Sequence, residues 1–466
     1  MKDLSNTYCN PLAIPEIPIG RGAYDADYHG PWWREFGDPS VIRFRGKYYL
    51  FPSCAMVWES DDLLHWRKCS ININDLGWAP SVTKKNGRLY LTASWEGSQI
   101  WTATDPLGHW ECLGEIIDDT GKHLSWADPC LFTDVDGTMY AYYSLGANRG
   151  IWGVPLKDDD PTHFATDPTH FFEFHPEHSW ECFGEFKQNP YISHLEGASM
   201  TRFRGKYYLQ YSSGGAEWKS YPVGCYVSDH PLGPFRLQKK NPILIHRGGM
   251  INGCAHNCTV EDEQGNLWCF YSIMVRRYRG IERRIGMDIV RFDENGEMYV
   301  DGPTETPVHA DGSLADCLPL TVGQPVTASS YLPDHEPDLA VDNYIRTFYQ
   351  AAPGDSRPSL TVDLLGAFHV GAVRIIFNEK ITPGNPLPAD FRFLVEGSMD
   401  GKQFFPLIDC REKEFSGPIR YETFPIRETA FMRLTITGYP PGNPPGVIDF
   451  CAFGKASRPG YRPLTA

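Results

Sequence analysis

Three acids, a histidine and a tryptophan stand at matching points of a repeated motif. The motif reads RGKYYLFPS (45–53), NGRLYLTAS (86–94), DGTMYAYYS (136–144), RGKYYLQYS (204–212) and QGNLWCFYS (264–272). In each copy a glycine is followed three residues later by an aromatic residue, and four after that by serine. Counting back from the turn glycine, Asp38 lies eight residues before Gly46. Trp78, Asp128, Glu196 and His256 lie nine before Gly87, Gly137, Gly205 and Gly265. One such aspartate reads as a turn cap. Three acids and a histidine at one repeat position read otherwise, because buried carboxylates are costly without partners. Two carboxylates across a pocket, one protonated and one ionised, suit cleavage of a glycosidic bond. The first gives a proton to the departing oxygen and the second takes one from an attacking water. A third carboxylate nearby raises the pKa of the acid, since like charges in a confined site disfavour a second ionisation.

The elements that must position these residues are hairpins. Each copy opens on a tight turn and continues as an alternating strand. The residues before each turn (SVIRF, SVTKK, CLFTD, SMTRF, CTVED) read as the partner strand. A third strand often follows, as in MVWESDDLLHW (56–66), QIWTATDPLGHW (99–110) and CYVSDHPLGPF (225–235). Copies begin 41 to 68 residues apart, and several short strands at such spacing read as a propeller blade. Five copies predict a five-bladed β-propeller, with a solenoid of β units as the alternative. The first strand of each blade lines the central axis, so equivalent positions on different blades converge there. Sustained helical periodicity is almost absent, which points to an all-β chain.

The texture changes after Gly302. PTETPVHADGSLADCLPL (303–320) has the look of a linker. Alternating runs joined by Gly/Pro turns then occupy 326–351, 359–377, 391–407 and 430–454, which predicts a β-sandwich of jelly-roll, galactose-binding-like type. The expected organisation is a propeller over 1–312, a linker over 313–319, a sandwich over 320–456 and a tail over 457–466.

The formal net charge of −15 excludes easy binding to nucleic acid or an anionic membrane. No run of about 18 apolar residues is present, so no membrane-spanning helix is expected. A neutral polyol, an oligosaccharide or polysaccharide, fits this surface better. The 14% aromatic content suits stacking on sugar rings and equally a β-rich core. The first twenty residues lack an apolar leader core, and the 13 scattered cysteines read as reduced thiols, so a cytoplasmic location is expected. Cys254, His256 and Cys258 lack a second ligand pair, which argues against zinc.

In order and at blade spacing, GDPSV, WAPSV, ADPCLF, LEGASM and GCAHN resemble glycoside hydrolase family 43 over about residues 20–312. The resemblance implies a five-bladed propeller that inverts the anomeric carbon, mostly removing arabinofuranosyl or xylosyl units from plant polysaccharides, with some members acting on galactans. It implies Asp38 as general base, Glu196 as general acid, and Asp128 as the carboxylate that tunes and orients the acid. No cofactor is required for the chemistry. His256 matches a central histidine that sits beside a structural calcium ion, or its waters, on the axis. ERRIGMDIVRF (282–292) resembles the last-blade strand with a substrate-binding arginine, taken as Arg284 over Arg283.

Trp33, Trp78 and Trp126, with Trp32, are candidates for stacking on the sugar because they lie near the acids in sequence; for each, core packing is the competing role. Two departures stand out. Gly37 precedes the base motif in place of a charged or bulky residue, and 145–195 is a long His- and Phe-rich insertion expected to form a rim loop. Further on, ASS, AVDN with Thr347, LTVDLLG, VEGSMDG and MRLTITG resemble a discoidin-type domain, as in family 32 carbohydrate-binding modules. Phe348-Tyr349 replaces its usual Trp, so a brace for the propeller competes with a sugar-binding module.

The expected function is an inverting glycosidase for terminal pentosyl units of plant-derived oligosaccharides, an α-L-arabinofuranosidase or β-D-xylosidase. An exo-acting galactosidase or galactanase of the same fold is one alternative. A non-catalytic carbohydrate-binding propeller, which predicts loss of a central acid, is another. An invertase-type retaining enzyme would carry its nucleophile in Asn-Asp-Pro, where this chain has Gly-Asp-Pro.

Overall fold

The computed structural model describes all residues except 1–2, 18, 21–32, 54–55, 74–75, 95–97, 119, 247, 278–280, 380–390, 414–416, 441–444 and 458–466. For 19–20, 33–34, 276–277 and 281 it describes the backbone alone. Among the described residues the chain is all-β, with three short 3-10 turns and no α-helix. No described helix is long and apolar enough to cross a membrane.

Five four-stranded antiparallel sheets form the blades of a propeller. Their innermost strands are Ser40–Phe44, Trp78–Lys85, Ala127–Thr133, Glu196–Phe203 and Asn257–Glu261. Each pairs with the motif strand that follows it, so every predicted hairpin is the inner half of a blade. The innermost strands of neighbouring blades pack side by side, and the fifth meets the first. The inward hydrophobic residues of adjacent blades share cores. Phe51, Leu91 and Trp110 lie between the first two blades, and Phe172, Leu209 and Tyr211 between the third and fourth. Near the N-terminus, Thr7–Tyr8 pairs with Val308–His309, which ties the start of the propeller to its end.

The long insertion is only partly a rim loop. Ile151–Pro155 and Thr169–Phe172 are the two outer strands of the third blade. Its aromatic residues are used there in packing: Phe172 stacks on Tyr226 at 3.9 Å and His170 lies against Trp152 at 4.6 Å. The remaining stretch, 173–195, connects the third blade to the fourth and runs directly into Glu196.

The described residues of the last third of the chain form one eight-stranded antiparallel sheet folded over as a sandwich. Its two longest strands, Ser359–Phe377 and Ile419–Gly438, change register at bulges after Asp363 and Val370, which lets one sheet bend over its own core. That core holds Val362, Phe377, Phe393, Met432 and Phe450, all fully buried. Leu318–Pro319 already pairs with Phe453–Gly454. Ile345, Ile376, Ile419 and Ile448 leave the sandwich core and join the core between the fourth and fifth blades. Buried Arg374 donates to Asp449 at 2.8 Å and to the backbone oxygens of Asn10 (2.8 Å) and Glu305 (2.9 Å). The two domains therefore share both an apolar core and a buried charge.

Candidate active site

Each innermost strand opens on a left-handed residue: Asp38 (φ 48), Ala79 (φ 49), Asp128 (φ 49), Gly197 (φ 59) and His256 (φ 47). The residue before it pairs with the motif serine. Trp78 faces Ser94, Ala127 faces Ser144 and Glu196 faces Ser212, while Ser53 and Ser272 donate to the carbonyls of Gly37 and Ala255. The five residues aligned by counting are thus not one backbone position but two adjacent ones. Asp38, Asp128 and His256 occupy the kink, and Trp78 and Glu196 the residue before it. The left-handed kink is costly for a residue with a Cβ, though Asp tolerates it better than most.

The motif serines hold these kinks. Ser53 Oγ accepts from Ala79 N at 3.0 Å, Ser94 Oγ from Asp128 N at 2.7 Å, Ser212 Oγ from His256 N at 2.8 Å and Ser272 Oγ from Asp38 N at 2.8 Å. Each serine thereby fixes the kink of the next blade around the ring. The third-to-fourth step differs. Ser144 accepts from its own loop at Gly146, and Gly197 N donates instead to Asp128 Oδ2 at 3.1 Å. A Cβ on Gly197 would lie 2.7 Å from Ser212 Oγ and 3.3 Å from His256 Nδ1, so glycine is required there by space as well as by φ.

The side chains converge. His256 Nδ1 lies 3.2 Å from Asp38 Oδ1 and 3.4 Å from Asp128 Oδ2, bridging the first and third blades. Asp38 is buried, accepts from Ser53 Oγ at 2.6 Å, and is gripped by both terminal nitrogens of Arg283, Nη2 at 2.6 Å. The same guanidinium donates through Nε to Glu35 at 2.6 Å, and the Arg283 backbone N donates to Glu35 at 2.9 Å. Burial works against an ionised Asp38. The Arg283 and His256 charges with the hydrogen bonds outweigh it and hold the carboxyl down to about 2. Glu196 goes the other way: burial and then the Asp128 charge push it up to about 8, against a 2.9 Å hydrogen bond from Tyr221 Oη. Burial pushes Glu35 up to about 7 against the pull of Arg283. Burial lowers His256, but the Asp38 and Asp128 charges carry it up to about 9.

Two carboxyls in one space are thus held in opposite protonation states near neutrality, which is the separation that distinguishes a general base from a general acid. Trp78 belongs to the same space, its ring under the Arg283 guanidinium at 5.8 Å. An axial calcium would find in His256 a nitrogen donor whose Nδ1 is already turned to two carboxylates. Among the described residues no three His, Cys, Asp or Glu side chains are grouped to hold a metal. Calcium takes six to eight oxygens, so an ion beside His256 would draw most of its ligands from water.

Two expectations need correction. Arg284 is not at the site. Neighbouring residues of a strand face opposite ways, so Arg283 enters the axial site while Arg284 turns to Glu282 at 2.7 Å and to a small cavity shared with Ile345, Ile376 and Ile448 of the sandwich. Trp126 is not a stacking platform: it is fully buried, donates to Ala93 O at 3.2 Å and packs on Tyr143 in the core between the second and third blades. Trp32 lies outside the described residues, and so does the side chain of Trp33.

Sequence reasoning also missed residues. Glu35 stands three before Asp38, and a second acid beside a motif already read as buried was a signal. Tyr221 sits outside the repeat and carried none. The motif serines were visible, but their role across blades was not. Gly37 is explained by the structure: any side chain there would collide with the Arg283 guanidinium.

A putative β-xylosidase of Xylanibacter ruminicola is 33% identical over 271 residues, covering 53% of this chain and 46% of its own length. A β-D-galactofuranosidase of Aspergillus niger is 24% identical over 58% of this chain and 82% of its own. An arabinoxylan arabinofuranohydrolase of Paenibacillus polymyxa is 30% identical over 38% of this chain and 29% of its own. The chain thus spans less than half the length of the first and third of these relatives. The solved structure of a thermostable family-43 glycoside hydrolase superposes with a TM-score of 0.50 at 25% identity, over 65% of this chain and 98% of that one. The sequence model of Glycosyl hydrolases family 43 matches residues 31–298. With more than half the chain matched and the five-bladed architecture in place, this protein belongs to glycosyl hydrolases family 43.

Proposed function

We propose that the protein is an inverting glycosidase that removes terminal pentosyl units, α-L-arabinofuranosyl or β-D-xylosyl, from plant-derived oligosaccharides. The observation that carries this reading is the convergence of Asp38, Asp128, Glu196 and His256 from four blades on one buried space, where the Arg283 charge draws Asp38 down and burial with the Asp128 charge pushes Glu196 up. Glu196, protonated, gives its proton to the departing glycosidic oxygen. Asp38, ionised and oriented by Arg283 and Ser53, takes a proton from a water that attacks the opposite face of the sugar. That water needs carboxyls about 6.5–9.5 Å apart. Asp128 binds Gly197 N, next to the acid, and its charge helps keep Glu196 protonated. Trp78 offers an aromatic face beside the base. The names of the xylosidase and arabinofuranohydrolase relatives support a pentosyl substrate.

A galactofuranosyl substrate is the second reading, favoured by the relative from Aspergillus niger named for that activity. We assign the C-terminal domain a bracing role, supported by the shared core and Arg374, and read its sequence motifs as discoidin-like. The described cysteines other than Cys254 are free thiols, which favours a reducing compartment such as the cytoplasm.

The test is turnover of nitrophenyl α-L-arabinofuranoside, β-D-xyloside and β-D-galactofuranoside, followed by proton NMR of the first-formed sugar. A pentose released with inverted anomeric configuration is expected. Retention, or turnover of the galactofuranoside alone, would contradict the first reading.

A further inference from the structure

Among the described residues, the two most exposed aromatic rings of the chain are Tyr191 (86%) and Phe186 (76%). Both lie in the 173–195 connection, within ten residues of Glu196. Their loop is not loose. Glu185 accepts from Lys219 N at 3.1 Å and from Arg346 of the sandwich at 3.1 Å, and the Lys219 ammonium lies 5.0 Å over the Phe186 ring. Lys219 is two residues from Tyr221, the partner of Glu196. On the other side, Tyr191 O accepts from Asn148 at 3.0 Å, and Asn148 in turn accepts from Ser193 N at 2.8 Å. Asn148 lies in the loop that follows Ser144, on the face where the inner strand of the third blade begins.

We propose that Phe186 and Tyr191 form a platform for the leaving-group side of a neutral saccharide chain, so that the protein prefers longer chains over short ones. This rests on the glycosidase reading above. A general acid stands on the side of the departing oxygen, so a loop that runs into Glu196 and is tied to the Tyr221 loop borders the space where the rest of the chain must leave. Exposed rings on a braced frame lose little conformational freedom when a sugar face covers them, which makes them efficient contact area. The occupant is a saccharide rather than an anion because the chain carries a net charge of −15. Arg346 makes the frame partly a product of the C-terminal domain.

The experiment compares kcat/KM on pentosyl disaccharides and pentasaccharides for the wild type and for a Phe186→Ala/Tyr191→Ala double variant. Both rings are exposed, so folding is preserved and a matching melting temperature checks it. The wild type is expected to favour the pentasaccharide, and the double variant to lose about tenfold on it while staying within about twofold on the disaccharide. Equal losses on both substrates, or no loss on the longer one, would overturn the platform while leaving the pentosidase reading in place. A wild type inactive on both substrates yet active on nitrophenyl galactofuranoside would overturn the pentosidase reading and the platform for pentosyl chains with it.

Discussion

At the scale of single residues, the site works by splitting two carboxyls that would otherwise titrate together. In water a Glu at 4.5 and an Asp at 3.8 leave almost no pH at which the first is protonated and the second ionised. At about 8 and about 2 they leave a window of several pH units. Glu196→Gln and Asp38→Asn should each lower kcat by about 10²–10⁴-fold with the fold intact, as read by turnover and circular dichroism. Arg283 is the hinge of the split. Removing its charge by Arg283→Met raises the Asp38 pKa, so activity that survives to low pH in the wild type is lost at a higher pH. The variant should be hurt more at pH 5 than at pH 7. It also leaves Glu35 buried without its partner, which costs about 3–5 kcal/mol in a denaturant titration. The carboxylates and His256 were legible in the sequence because each opens a repeat. The choice between Arg283 and Arg284 was not, because strand alternation tells that neighbours face apart but not which one faces the axis.

At the scale of elements, four motif serines and, at the third-to-fourth step, Asp128 join five hairpins into a closed frame. Ser272 Oγ joins the last blade to the first by accepting from the buried Asp38 N at 2.8 Å. Ser272→Ala should destabilise by about 1–3 kcal/mol, since the donor is left unpaired. Ser144→Ala, which loses only a bond inside its own loop, should cost about 0.5–1.5 kcal/mol. Equal effects would argue against the frame. Trp126→Phe belongs to this scale too: a stability loss of about 1–3 kcal/mol with unchanged KM is expected from a core residue. The hairpins and their number were legible because Gly, aromatic and Ser recur at fixed spacing. The one-residue offset that separates Asp128 from Glu196 was hidden, because it depends on a left-handed kink that leaves no mark on spacing.

At the scale of the whole molecule, the sandwich is built into the propeller. Ile345, Ile376, Ile419 and Ile448 complete a propeller core, and Arg374 joins Asp449 to the backbone at Asn10 and Glu305. Thermal unfolding should therefore show one cooperative transition, and Arg374→Met should lower stability by about 3–5 kcal/mol. Two separated transitions in the wild type would mean independent domains. Two domains could be read from the change in texture after Gly302, and a brace was one of two roles open to the second, but the residues that join them could not be read, since they are scattered from Asn10 to Asp449. The account as a whole stands on a protonated Glu196 facing an ionised Asp38 across blades. The most direct check is the pH dependence of kcat/KM on an activated aryl pentoside for the wild type and Glu196→Gln. The wild type should lose activity above a pKa of about 8, as Glu196 gives up the proton it must donate, and the variant should lack that limb. A limb near 8 that survives unchanged in Glu196→Gln would contradict the assignment.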